Sequence, residues 1–222
     1  MLLSRLRLAI AVLAAISIFT AVARWSPELK TVMSTPSVSD IYSRAADGEF
    51  VIPQATSTFA ITRQMSQCDD WMTWVFAGFS AEQTRQNIAT ACEARADEIL
   101  AASPTFSLAH LVKAGAAHNR ADVDAVEHAL SLAQMTAPFE GQLATRRLRL
   151  LFLSGVTAPA SGLENDVKVV AQSSDFTAFL ARFYWTYPER RTWLTQTFDT
   201  LEPEDARRVL NRIKNAAPES IQ

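Results

Sequence analysis

Apolar residues recur along most of this chain at intervals of three and four, the spacing that lines one face of an α-helix. Ile88, Cys92, Ala96, Ile99 and Leu100 share one side of a helix predicted over 80–102, whose start carries the capping-box pair Ser80 and Gln83. Phe106, Leu108, Leu111 and Val112 form the stripe of the next helix, opened by Ser103-Pro104 and broken at Asn119-Arg120. A helix over 121–135 turns Val126, Leu130 and Ala133 inward, and one opened by Pro138 carries Leu143, Leu148, Leu150, Leu151 and Leu153. Upstream, Pro53 opens a helix with Phe59, Ile61 and Met65, and a short helix over 38–46 ends at Gly48. Beyond a loop over 155–162, helices are predicted over 163–172, 175–187, 189–200 and 203–216. No segment alternates apolar and polar residues with period two, so no strand is expected. The body reads as all-α, a stack of antiparallel helix pairs.

The first 25 residues differ in kind. Arg5 and Arg7 precede a stretch, 8–23, interrupted only by Ser17 and Thr20 and closed by Arg24 and Trp25. Two readings stand. The segment spans a bilayer, making a bacterial inner-membrane protein with its body in the periplasm. Alternatively it is a signal peptide, cleaved after Ala23 of the Ala21-Val22-Ala23 site and releasing a secreted or periplasmic body. Both export the rest of the chain: a proline-dotted stalk over 26–52, a helical body over 53–216 and a tail over 217–222. Cys68 and Cys92 lie beyond the apolar segment, and an even count in an exported chain reads as one disulfide.

Pro104 and Pro138 stand 34 residues apart, each between two apolar helices, and Ala114, Leu130 and Ala133 fall where close helix packing needs small or apolar residues. On these residues the chain resembles the tetratricopeptide-repeat family over about a third of its length. His110 and Lys113 depart from the pattern, and Gln172 stands where the next proline would fall. The resemblance implies helix pairs whose concave face binds peptides or proteins, with Ala114 and Ala133 facing each other across one pair. With the apolar N-terminus and stalk, the chain is also similar to accessory proteins of the bacterial envelope, some of them serving surface polysaccharide production.

The 222 residues are 49% hydrophobic and 20% charged, which excludes a disordered chain, and six glycines argue against glycine-rich nucleotide folds. The net charge of −2 hides an asymmetry: residues 25–140 carry seven basic and fourteen acidic groups, residues 141–222 eleven and nine. Arg146, Arg147 and Arg149 on one helix form a candidate partner surface. Phe176, Phe179 and Phe183 make a core-like stripe, but Tyr184, Trp185, Tyr187 and Trp193 add more aromatic surface than one stripe buries, and join that surface. His110, His118 and His128 lack metal-ligand spacing, and Glu140 sits where helix starts favour acids. No nucleophile elbow, zinc motif or phosphate loop is present. The expectation is a non-enzymatic scaffold with no cofactor, no metal, no small-molecule substrate and no nucleic acid. It would touch the membrane through its N-terminal segment and bind other envelope proteins through its helices. The rival is a periplasmic helical enzyme acting on cell-wall or surface glycan.

Overall fold

The first N–H groups of a helix lack partners within it, and side chains outside the helix supply them at only some of the starts here, as Ser37 does for α2 (Val38–Ala46) and Asp122 for α6 (Val123–Thr136). The computed structural model describes residues 10, 12–23, 25, 28, 37–73, 75–156 and 163–217, and among them all regular structure is helical. Residues 12–23 form α1. The others are α2 (Val38–Ala46), α3 (Thr58–Thr73), α4 (Glu82–Ala102), α5 (Ser107–Asn119), α6 (Val123–Thr136), α7 (Gly141–Leu153), α8 (Leu163–Gln172), α9 (Thr177–Thr186), α10 (Arg191–Phe198) and α11 (Pro203–Asn215). Short 3-10 turns, Val75–Phe79 and Pro188–Arg190, precede α4 and α10.

Pro203 opens α11 as the range 203–216 predicts, but Pro53, Pro104 and Pro138, also expected to open helices, do not. Ser57 caps α3, its hydroxyl accepting the Ala60 amide at 3.2 Å, while the Pro53 carbonyl is taken by the Gln64 side chain at 2.6 Å. Pro104 and Pro138 lie in the turns before α5 and α7, which start three residues later behind Phe106 and Glu140. The capping box at Ser80 is replaced by an Ala81 cap with no side-chain bond, and Gln83 reaches forward to Asn87. Helix ends follow the sequence more closely. Gly48, at φ +74°, closes α2, with Glu49 N–H donating to Arg44 and Gly48 N–H to Ala45. The same pair of bonds closes α5, but there Ala121 occupies the left-handed position at φ +57°.

The helices pack largely as sequential neighbours. α4 lies on α2, α3 and α5; α5 pairs with α6; α7 meets α5, α6 and α8; α9, α10 and α11 gather on α8. Gly115 lets α3 and α5 close up, since a Cβ there would lie 2.9 Å from the Met72 methyl. Ala114 and Ala133 are both fully buried, but they are not opposite one another. The Ser107 hydroxyl donates to the Ala133 carbonyl at 2.7 Å, which sets Ala133 level with Ser107, about 10 Å along the axis from Ala114. Residues 38–52, expected as stalk, pack on the body: Ile41 and Ala45 are buried, and the Tyr42 hydroxyl donates to the Trp71 carbonyl at 2.8 Å.

Two cross-links fix the interior. Cys68 of α3 and Cys92 of α4 form a disulfide, with Cα atoms 5.7 Å apart and both residues buried. A ring of this size is worth about 3.5 kcal/mol in the chain-entropy account. Arg147 of α7 is wholly buried, and its Nε and Nη2 donate to the two oxygens of Asp166 on α8, both at 2.7 Å. Its remaining donors meet the Ala133 and Ala137 carbonyls at the end of α6.

The expected membrane anchor is overturned. No helix among the described residues is long and apolar enough to cross a membrane. Arg5, Arg7 and Arg24 of the expected flanks, the loop over 157–162 and residues 218–222 of the tail lie outside the described residues.

Glu28 clasps the start of α3. Its carboxylate accepts the Thr56 and Ser57 amides at 2.5 and 2.8 Å and the Ser57 hydroxyl at 2.5 Å. These bonds, the Ser57 hydroxyl foremost, lower its pKa to about 2. A carboxylate with a depressed folded pKa gives its full contribution above its ordinary value of 4.5 and loses it as pH falls toward about 2. The Thr56 and Ser57 amide resonances should therefore titrate near pH 2 in NMR spectra, and Glu28→Gln should abolish the transition. For the buried pair, Arg147→Ala should cost about 3–5 kcal/mol in urea unfolding, because Asp166 is left without its counter-charge. Arg147→Met with Asp166→Leu together should recover most of that loss.

Candidate functional site

The arginines of α7 part company. Arg147 turns inward to Asp166, so it contributes to the core and not to the partner surface expected of it. Arg146 and Arg149, one turn apart, reach across to α3 (and both helices pack on α5). There Asp69, fully buried, accepts Arg146 in a short bond and Arg149 at 2.9 Å, while the half-exposed Asp70 lies 3.1 Å from Arg146 and 3.6 Å from Arg149. Burial pushes the Asp69 carboxyl above the usual carboxylate range, against the pull of Arg149 and Arg146. One Asp69 oxygen, Oδ1, and the Arg149 Nε are buried without a hydrogen-bond partner.

The aromatic group divides as well. Phe179, Phe183 and Tyr187 recur every four residues from α9 onward and stack as a ladder, with centroids 4.1 and 5.2 Å apart. Phe152 of α7 backs it, 4.8 Å from Phe183 and 5.4 Å from Tyr187. Burial, then the charge of Glu189, raises the Tyr187 phenol above its ordinary pKa. Tyr184 and Trp185 serve another joint: Arg191 lies over both rings at 5.3 and 4.9 Å, and the Trp185 indole N–H donates to the Ile213 carbonyl at 2.9 Å. Trp193 packs edge-on to Phe152 at 6.3 Å, its indole N–H buried without a partner. Phe176 closes on the first turn of α7, where a Cβ on Gly141 would lie 2.9 Å from its ring.

Of the residues read as a partner surface, the structure thus brings together Arg146, Arg149 and Tyr187. They line a hollow of about 400 Å³ with Phe179, Phe183 and Arg182. Thr73, Thr145 and Thr186 complete its polar rim, but each hydroxyl hydrogen is committed to a carbonyl one turn back. The free donors of the hollow are therefore guanidinium and phenol. Two further hollows adjoin it. One of about 330 Å³ shares Arg146 and extends toward Glu140, Ser66 and Ser107; one of about 260 Å³ shares Thr73 and Leu153 and extends toward His118 and Gly78. Together they make a discontinuous trench between α3 and α7, whose outer hollows touch the two ends of α5 and whose middle hollow borders α9.

The histidines do not form a cluster. His110 Nε2 lies 2.9 Å from the Pro104 carbonyl, and burial followed by the charge of Arg85 lowers the pKa of His118. His128 is exposed. Among the described residues no group of His, Cys, Asp or Glu is placed to hold a metal. Glu140 occupies the cap position of α7 without a side-chain bond to it. No family model, curated protein or solved structure matches this chain.

Sequence reasoning missed Arg182 and the role of Asp69. Arg182 is three residues from Phe179 and so shares its helix face, a signal present in the sequence. Nothing in the sequence marks Asp69 as the residue that turns inward while Asp70 does not. Their difference is measurable. Asp69→Ala should cost about 2–3 kcal/mol in urea unfolding, less than a sealed pair because both arginines can turn to water. Asp70→Ala should cost under about 1 kcal/mol, as expected of a half-exposed partner.

Proposed function

We propose that this protein is a non-enzymatic helical scaffold that binds protein partners along the trench over α5. The observation that carries the reading is the convergence of the α7 arginines and the α9 aromatic ladder on one hollow that shares lining residues with two others. Interfaces are built this way, with aromatic and arginine anchors enriched at their centres. The order of helix contacts supports a tetratricopeptide-like reading. α3, α5 and α7 are side by side, while α4, α6 and α8 each join a helix of that row to its neighbour or to one another. In such a stack the trench is the concave face. The Cys68–Cys92 bridge suits an oxidising compartment, and we place the partners among the proteins of the bacterial envelope.

Site-directed photo-crosslinking in the native cell tests this. A photoreactive amino acid at Thr145, in the trench, should capture a discrete partner, and one at Gln83, exposed on α4, should not. Equal capture from both positions, or from neither, would count against the trench as the binding face.

A further inference from the structure

The middle hollow of the trench differs from its neighbours in joining charge to a continuous apolar wall. Arg146 and Arg149 enter it from α7 and Arg182 from α9, and no carboxylate is among its lining residues. The acids that face these arginines come from α3. Asp69 meets both α7 guanidiniums from its buried side, and Asp70 stands closest to Arg146. Arg182 is exposed and makes no ion pair among the described residues. Arg146 and Arg149 share the charges of Asp69 and Asp70, the latter 3.1 and 3.6 Å from them, so the positive charge left over is that of Arg182, beside Arg149 and the rings of Phe179, Phe183 and Tyr187. The first of these rings and the last are half-buried, so each presents an uncovered part.

An extended partner chain advances about 3.3 Å per residue. In such a chain side chains two apart face the same way. A carboxylate and an aromatic ring in that relation would reach the guanidinium side and the ladder together. We infer that the middle hollow receives an extended acidic–aromatic segment of a partner protein. An Asp or Glu carboxylate is held between Arg149 and Arg182, and an aromatic side chain two residues along lies on the Phe179–Phe183–Tyr187 ladder. Guanidinium–carboxylate bonds supply the discrimination against a neutral segment, and ring contacts supply the discrimination against a purely acidic one. This rests on the trench being the protein-binding face and adds the chemistry that it recognises.

Fluorescence anisotropy on the full chain with its disulfide intact tests it, using blocked, fluorescein-labelled octapeptides with a central Glu-Ser-Phe, Gln-Ser-Phe or Glu-Ser-Ala. The Glu-Ser-Phe peptide should bind about tenfold or more tightly than either of the others, and more weakly as salt is raised. Arg182→Glu, at an exposed position, should weaken it about tenfold while circular dichroism and melting temperature stay unchanged. Asp70→Asn, which removes a competing carboxylate, should tighten it about two- to threefold. Equal binding of the glutamine or alanine peptide, indifference to Arg182→Glu, no binding up to about 1 mM, or equal competition by an oligothymidine would each overturn the inference. Cross-linking from Thr145 that persists in the Arg182→Glu protein would leave the scaffold reading standing while the acidic–aromatic recognition falls.

Discussion

The Arg147 guanidinium, shut away from water, sets the rotation of α7 about its own axis. Every nitrogen of that side chain is bonded, to Asp166 on α8 and to two carbonyls at the end of α6. Turning α7 by one residue would carry the charge away from Asp166, its buried counter-charge, at a cost of several kcal/mol. Hydrophobic contacts alone discriminate weakly between such rotations on a helix as leucine-rich as this one. With Arg147 fixed, Arg146 and Arg149 are directed to the opposite flank, toward α3 and the open trench. The chemistry of the surface is thus decided in the core.

A similar division occurs on α3. Cys68 and Asp69 are adjacent, about 100° apart around the helix. The first binds α3 covalently to α4, and the second binds it ionically to α7. The trench is accordingly bounded by walls that cannot be moved independently. Preorganisation of that kind lowers the ordering cost of binding an extended segment, because the partner alone gives up freedom.

Helices were legible in this sequence wherever an apolar stripe ran its full length. α8 has the expected bounds, 163–172, and α2 ends at Gly48 as its spacing requires. Starts were less legible, because a proline marks where a chain may enter a helix without requiring that it does. Pro53, Pro104 and Pro138 all stand in extended or turn segments, and the cap falls to Ser57, Phe106 and Glu140. The arginine triplet and the aromatic group were visible as clusters, yet a cluster in sequence does not specify its faces. Arg147 left for the core through its pairing with Asp166, nineteen residues away. Tyr184 and Trp185 left for α10 and α11 through Arg191 and Ile213. Those partners are side chains and carbonyls brought near by tertiary packing, which residue spacing along one helix does not encode. The membrane anchor failed for a related reason: an apolar run between basic flanks was read as a spanning helix, and no helix among the described residues is long and apolar enough to cross a membrane.

The bridge between Cys68 and Cys92 also makes a closed ring of covalent bonds, which includes the 3-10 turn and its 84% exposed Phe79. A protease would find accessible bonds beside that side chain. Yet one cut in that turn would not divide the molecule, because the ring closes behind it. The N-terminal piece, with α3, would stay fastened to α4 and hence to the rest. Such a nicked protein would migrate as a single chain until reduced, and its trench would keep both walls.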